Sequence, residues 1–137
     1  MSDRARRVAL EVRLLRQVFP AVDWDDEEGS WVAIWGFPLP PSLGRRATNL
    51  LIRPPADYPR TPPDGIFVDQ GLRLPEHYFQ RQGDYNDLAG HGWAWYCFHL
   101  QGHAGGWAAR SRIMEGDNLL RFIHLVRVLM ERAADRA

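Results

Sequence analysis

The sequence predicts an α+β domain: a helix at each end, an antiparallel β-meander between them, and an irregular segment before the last helix. Three observations carry this. Residues 3–19 and 117–133 place apolar side chains at helical spacing. The runs "SWVAIWGF", "ATNLLI" and "GIFVD" read as strands joined by short turns. Five of the ten prolines fall within residues 54–63, where each removes a backbone donor and fixes its own φ. The order is helix, three strands, irregular segment, helix, with the helices outside the sheet.

In the first helix the apolar stripe is Ala5, Val8, Ala9, Val12, Leu15 and Phe19, and Pro20 ends it. The opposite face is basic, with Arg4, Arg6, Arg7, Arg13 and Arg16 against Asp3 and Glu11. "DWDDEEGS" forms an acidic turn around Gly29. In the strand that follows, alternation puts Trp31, Ala33, Trp35 and Phe37 on one side and Val32 and Ile34 on the other. Residues 69–92 are polar and loosely patterned, which marks a functional or mobile connection. "WAWYCFHL", residues 93–100, reads as a short strand or extended segment, and "QGHAGG" as a glycine-rich turn before Trp107. The last helix buries Leu119, Phe122, Ile123, Val126, Leu129 and Met130. Asp117 after Gly116 reads as its N-cap, and Arg127 and Arg132 lie near its C-terminal end.

The chain has 137 residues, which suits one domain, residues 1–137, around a single core. Hydrophobic residues at 45% and aromatics at 12% are enough to build that core. No apolar run approaches a membrane span, and charge interrupts the N-terminal stretch too often for a signal peptide. Seventeen basic residues balance seventeen acidic ones, which argues against nucleic-acid binding driven by bulk charge. Every basic residue is arginine, so the only amine expected is the N-terminus. GC-rich codon usage is the expected cause. The single cysteine excludes an internal disulfide and suits a cytoplasmic location.

Two stretches attract attention. The first is Tyr58-Pro59-Arg60-Thr61-Pro62-Pro63, "YPRTPP", stiff before it folds and placed between two strands. An aromatic residue before Pro59 suits a cis bond. The bland reading is a rigid strand connection. The second is Cys97, between Tyr96 and Phe98, where an inert core thiol is the default. In an extended segment His99 projects to the same side as Cys97, and His103 follows four residues later. A thiol near imidazoles can act as a nucleophile. The same three residues are an alternative metal set, with a fourth ligand from His91 or an acid, but the spacing fits no common zinc pattern. His77 and His124 carry no signal, and His124 is expected to pack near the apolar stripe of the last helix.

"YPRTPPDGIFV" resembles the signature of ubiquitin-conjugating enzymes, in which Tyr-Pro-x-x-Pro-Pro follows the third strand and leads into the fourth. The order around it is similar along nearly the whole chain. The run "WYCFHL…W…GDNLLRFIHLVRVLMERA" is most like compact bacterial members of that superfamily, which belong to ubiquitin-like conjugation operons. The resemblance implies a ubiquitin-conjugating (UBC-like) fold and a conjugating transferase without cofactor or metal. Cys97 would carry a ubiquitin-like protein as a thioester, received from an activating enzyme and passed to an unknown acceptor. Trp107 would pack after the active-site segment, and Asp117 would lie near the mouth of the site. Tyr58, Pro59, Pro62 and Pro63 would brace the segment that carries the cysteine. Arg6, Arg7, Arg13 and Arg16 would face the activating enzyme, or simply form a solvated helix face. A part in antiphage defence is an extrapolation from that kind of operon.

The usual His-Pro-Asn triplet before the cysteine is absent, and Asn86 lies eleven residues upstream, off the familiar spacing. The expectation is that His99 activates the attacking group or donates to the oxyanion, with His103 as a further candidate. Two other readings compete. One is an inactive module with a buried Cys97 that binds a ubiquitin-like protein or its activating enzyme. The other is a cysteine hydrolase, for which a base two residues from its nucleophile on one strand is poor geometry.

Overall fold

The computed structural model describes residues 1–83, 86–98 and 106–135. The first helix, α1, spans Asp3–Val18. Ser2 caps it by accepting a 3.0 Å hydrogen bond from the Ala5 amide. Its last carbonyls close on Phe19, and Pro20 cannot extend the ladder. Six strands follow: β1 (Val22–Trp24), β2 (Val32–Pro38), β3 (Ala47–Ile52), β4 (Gly65–Asp69), β5 (Gln80–Arg81) and β6 (Trp93–Cys97). The second helix, α2, spans Leu119–Asp135. The class is therefore α+β, with an N-terminal helix, an antiparallel sheet and a C-terminal helix.

The sheet order is β1-β2-β3-β4-β6-β5, with every neighbouring pair antiparallel. Both helices bury their stripes on one face. Val8, Val12 and Leu15 of α1 and Leu119, Phe122, Ile123, Val126, Leu129 and Met130 of α2 meet Val32, Ile34, Leu50, Ile52, Ile66, Val68, Ala94 and Tyr96. A second, smaller cluster lies on the other face, where Leu88, Trp93 and Trp95 pack on Ala33, Leu51 and Phe67. Strands β2, β3, β4 and β6 are thus apolar on both faces, as a covered sheet requires.

Several expectations are corrected. Among the described residues the sheet has six strands: the three expected, β6 within the segment read as a short strand or extended, and the unexpected β1 and β5. Strand β1 is too short to show a pattern, and β5 has only two residues. Phe37 does not share a side with Trp35: the register shifts between Ile34 and Phe37, where Gly36 adopts φ +72°. The extra residue turns Phe37 into the core, with its ring 5.6 Å from Phe19, while Trp35 stays outside. The described part of residues 69–92, read as a functional or mobile connection, is anchored by the core residues Leu72, Leu74 and Phe79. Finally, α2 starts two residues later than expected. Its cap is Asn118, which accepts a 3.0 Å hydrogen bond from the Arg121 amide, and not Asp117. Among the described residues, no helix is long and apolar enough to cross a membrane.

Candidate functional site

The proline segment is fixed at both ends. Tyr58 is buried, its bond to Pro59 is cis, and its hydroxyl donates 2.5 Å to Oε1 of Glu11 on α1. The Pro59 carbonyl accepts a 2.8 Å hydrogen bond from Nε1 of Trp107, whose ring lies 6.0 Å from that of Tyr58. Asp57 accepts from the Thr61 hydroxyl at 2.6 Å across the turn. Pro63 is buried and Pro62 half-buried. The segment then delivers Asp64 and Gly65 beside the end of β6. There the Asp64 carbonyl accepts a 3.1 Å hydrogen bond from the Phe98 amide, and Gly65 pairs with Cys97.

This pairing is close. A Cβ on Gly65 would stand 2.1 Å from the Tyr96 carbonyl oxygen and 2.7 Å from Cα of Cys97. Glycine is what lets the proline segment reach the cysteine-bearing strand. Alternation along β6 sends Ala94 and Tyr96 into the helix-covered core, which leaves Trp93, Trp95 and Cys97 on the other face. Cys97 is half-buried there, not a core thiol.

The thiol opens into a cavity of about 540 Å³ lined by Arg53, Pro55, Asp64, Phe67, Gln82, Trp95 and Cys97. Strands β4 and β5 flank β6, so Asp64 and Gln82 approach the thiol from opposite sides. Nε2 of Gln82 lies 3.6 Å from Sγ of Cys97, within the range of an amide donor to sulfur. The Arg53 guanidinium is held in place. It makes two hydrogen bonds to Asp87, at 2.8 and 3.0 Å, and lies 4.9 Å above the Phe67 ring. Those bonds hold the Asp87 carboxyl below its ordinary value.

A second cavity, of about 520 Å³, is lined by Arg7, Asp57, Pro59, Arg60, Trp107, Ala108, Ala109, Arg110 and Ser111. Asp117 stands behind this one. Its Oδ2 accepts a 2.7 Å hydrogen bond from the Ala108 amide, and it is not among the residues lining the Cys97 cavity. The structure therefore brings Cys97 together with Pro55 and Asp64 at the ends of the proline run. It groups Tyr58, Pro59, Trp107 and Asp117 around a separate anchoring point. His99 and His103 lie outside the described residues. Among the described residues, no three His, Cys, Asp or Glu side chains are placed to hold a metal ion.

Two expectations about α1 and α2 change here. Arg7 is buried rather than on the exposed basic face of α1. Its Nε lies 2.7 Å from Oε2 of the fully buried Glu11, and its other nitrogens donate to the carbonyls of Arg110 and Asp117. A guanidinium with that many acceptors is stable inside, whereas an unpaired one would not be. Glu11 Oε1 also accepts from the Leu119 amide. Burial nonetheless pushes the Glu11 carboxyl above its ordinary value, against the bonds from Tyr58, Leu119 and Arg7 that favour its charge. Burial, together with the Glu11 charge, raises the Tyr58 hydroxyl as well. Arg6, Arg13 and Arg16 are exposed, with Arg6 3.4 Å from Asp3 and Arg16 donating to the Val22 carbonyl. His124 is exposed rather than packed, because it falls between the core residues Ile123 and Val126 on the outer side of the stripe.

Sequence reasoning missed Arg53, Asp64, Gln82 and Glu11. Only Glu11 carried a signal, its spacing of four residues after Arg7; its full burial corrects the expectation that it lies on the exposed basic face of α1. Asn86, the asparagine nearest before Cys97, donates to the Trp93 carbonyl and accepts from the Leu88 amide, so its side chain is used in its own turn. In comparisons with known proteins, no family model, no curated protein and no solved structure matches this chain.

Proposed function

We propose that this chain is a ubiquitin-conjugating-like transferase with the fold of that superfamily. Cys97 takes the C-terminus of a ubiquitin-like protein as a thioester from an activating enzyme and passes it to an acceptor, in the cytoplasm of a bacterium. The position of the thiol carries this reading. Cys97 sits half-buried at an open cavity on the sheet face that the helices do not cover, beside the strand that the proline segment leads into. A buried core thiol would have favoured an inactive binding module instead.

The sparse site fits this chemistry. A thioester is already activated, so the protein has to position the acceptor and stabilise the charge that develops on the carbonyl oxygen. The exposed arginines Arg6, Arg13 and Arg16 remain available on α1 for the activating enzyme.

The test is an acyl-transfer assay with ATP and the activating enzyme and ubiquitin-like protein encoded beside the gene. Wild type, Cys97→Ser and Cys97→Ala are compared on non-reducing gels and by intact mass. The expected result is a thiol-sensitive adduct on wild type, a thiol-resistant one on the serine variant and none on the alanine variant. No adduct on wild type, while Cys97 stays resistant to alkylation in the folded protein, would overturn the proposal in favour of a binding module.

A further inference from the structure

The asparagine that would donate to the oxyanion has no counterpart at the expected position, and Asn86 is occupied elsewhere. The cavity around Cys97 holds another amide. We infer that Gln82 is the oxyanion donor of this site, an inference that rests on the transferase reading above.

Three observations converge on it. First, Nε2 of Gln82 lies 3.6 Å from Sγ of Cys97. A thioester carbonyl oxygen is two bonds from the sulfur, so an amide that reaches the sulfur also reaches the oxygen on the same side. Second, the backbone of Gln82 is held. Its amide donates 3.0 Å to the Trp95 carbonyl, which continues the β5–β6 ladder past Arg81 and keeps the side chain on the thiol's face. Such fixing lets a donor act without reorganising during the reaction. Third, the two charged groups in the cavity are unsuited to the task. Asp64 is a carboxylate on the opposite flank and would repel an oxyanion. Arg53 is committed to Asp87 and the Phe67 ring.

The step is a simple displacement. The lone pair of an acceptor amine attacks the thioester carbon and forms the C–N bond. The carbonyl π pair moves to oxygen, where the Gln82 amide donates to it. Collapse re-forms the carbonyl, breaks the C–S bond and returns the pair to Cys97 as thiolate, and the amine loses a proton to water. In loading, the Cys97 thiolate attacks the thioester carbon held on the activating enzyme, the Gln82 amide donates to the carbonyl oxygen, and collapse breaks the C–S bond to the activating enzyme's cysteine, which leaves as thiolate.

The test separates loading from discharge. Wild type, Gln82→Leu and Gln82→Glu are charged to completion with excess activating enzyme, and transfer to methylamine is followed in a single turnover. Leucine removes the donor, and glutamate keeps the shape while replacing the donor with an acceptor. Alkylation by iodoacetamide on the alkaline plateau, where the thiol is fully ionised, reports access to Cys97 alone. Both variants are expected to discharge about 10²- to 10³-fold more slowly, with plateau alkylation unchanged. Discharge by Gln82→Leu within about threefold of wild type would overturn the assignment while leaving the transferase reading intact. An equal fall in discharge and alkylation would also overturn it, since that reports a displaced thiol. If wild type forms no thioester at all, the transferase reading fails and takes this inference with it.

Discussion

The hydroxyl of Tyr58 donates a 2.5 Å hydrogen bond to the carboxylate of Glu11, across 47 residues of sequence. The same carboxylate accepts from the Leu119 amide at the start of α2 and pairs with Arg7 one turn earlier on α1. A single buried acid thus fastens the first helix, the proline segment and the last helix. The proline segment in turn sets β4 against Cys97.

Tyr58→Phe removes that hydroxyl and keeps the ring beside Trp107. Glu11 is then short of one donor in a place water does not reach. The expected cost is about 1–3 kcal/mol of folding stability, measured by urea denaturation. A loss below about 0.5 kcal/mol would mean that the carboxylate finds another donor when Tyr58 lacks its hydroxyl.

The pH dependence of the same group has a defined sign. The Glu11 carboxyl is raised above its ordinary value of 4.5, chiefly by burial. Between 4.5 and that raised value the folded protein keeps a proton that the unfolded chain has lost. The stability contributed by Glu11 is therefore fully present below its unfolded value and is lost as pH rises through the folded one. Other carboxylates cancel when wild type is compared with Glu11→Gln across pH. The advantage of wild type over the variant is expected to be greatest in acid and to shrink toward neutrality. An advantage that grows with pH would show that the pairing with Arg7 outweighs burial.

The helices were legible because their signal is periodic and local. All six residues expected in the stripe of α2 are core residues. The proline segment was legible as stiff, since proline constrains its own backbone whatever surrounds it. Phe37 was not, because a bulge at Gly36 reverses alternation without any change in hydrophobic pattern. Glu11 was read onto the basic face of the first helix, because the partners that hold it inside, Tyr58 and Leu119, are remote in sequence. Gln82 carries no motif. Its nearness to Cys97 exists only because β5 pairs with β6, and a two-residue strand leaves no pattern to read.

The start of α2 gives a direct comparison of two adjacent polar residues. Asn118 is the cap, accepting from the Arg121 amide while its own amide donates 2.9 Å to the Ile113 carbonyl. Asp117 instead holds the Ala108 amide at 2.7 Å, next to Trp107. Asn118→Ala is expected to lower stability by about 1 kcal/mol, within a range of 0.5–2. Asp117→Ala is expected to leave the helix intact and loosen the neighbouring segment, read as faster amide exchange at Ala108. Equal loss of α2 helicity by circular dichroism in both variants would contradict this division.

Gly65 lies where the proline segment meets the cysteine strand. A methyl group there would meet the Tyr96 carbonyl at 2.1 Å and Cα of Cys97 at 2.7 Å. Both are backbone atoms, so β4 and β6 must move apart locally. Gly65→Ala is expected to cost about 1–3 kcal/mol, as overpacking does, and to change the rate at which Cys97 is alkylated. Gly71→Ala is the control. A Cβ at Gly71 would meet only the Arg45 guanidinium, at 3.9 Å, so its effect should stay within about 0.5 kcal/mol with alkylation unchanged. If the two substitutions prove equivalent, the close pairing of Gly65 with Cys97 does not position the thiol.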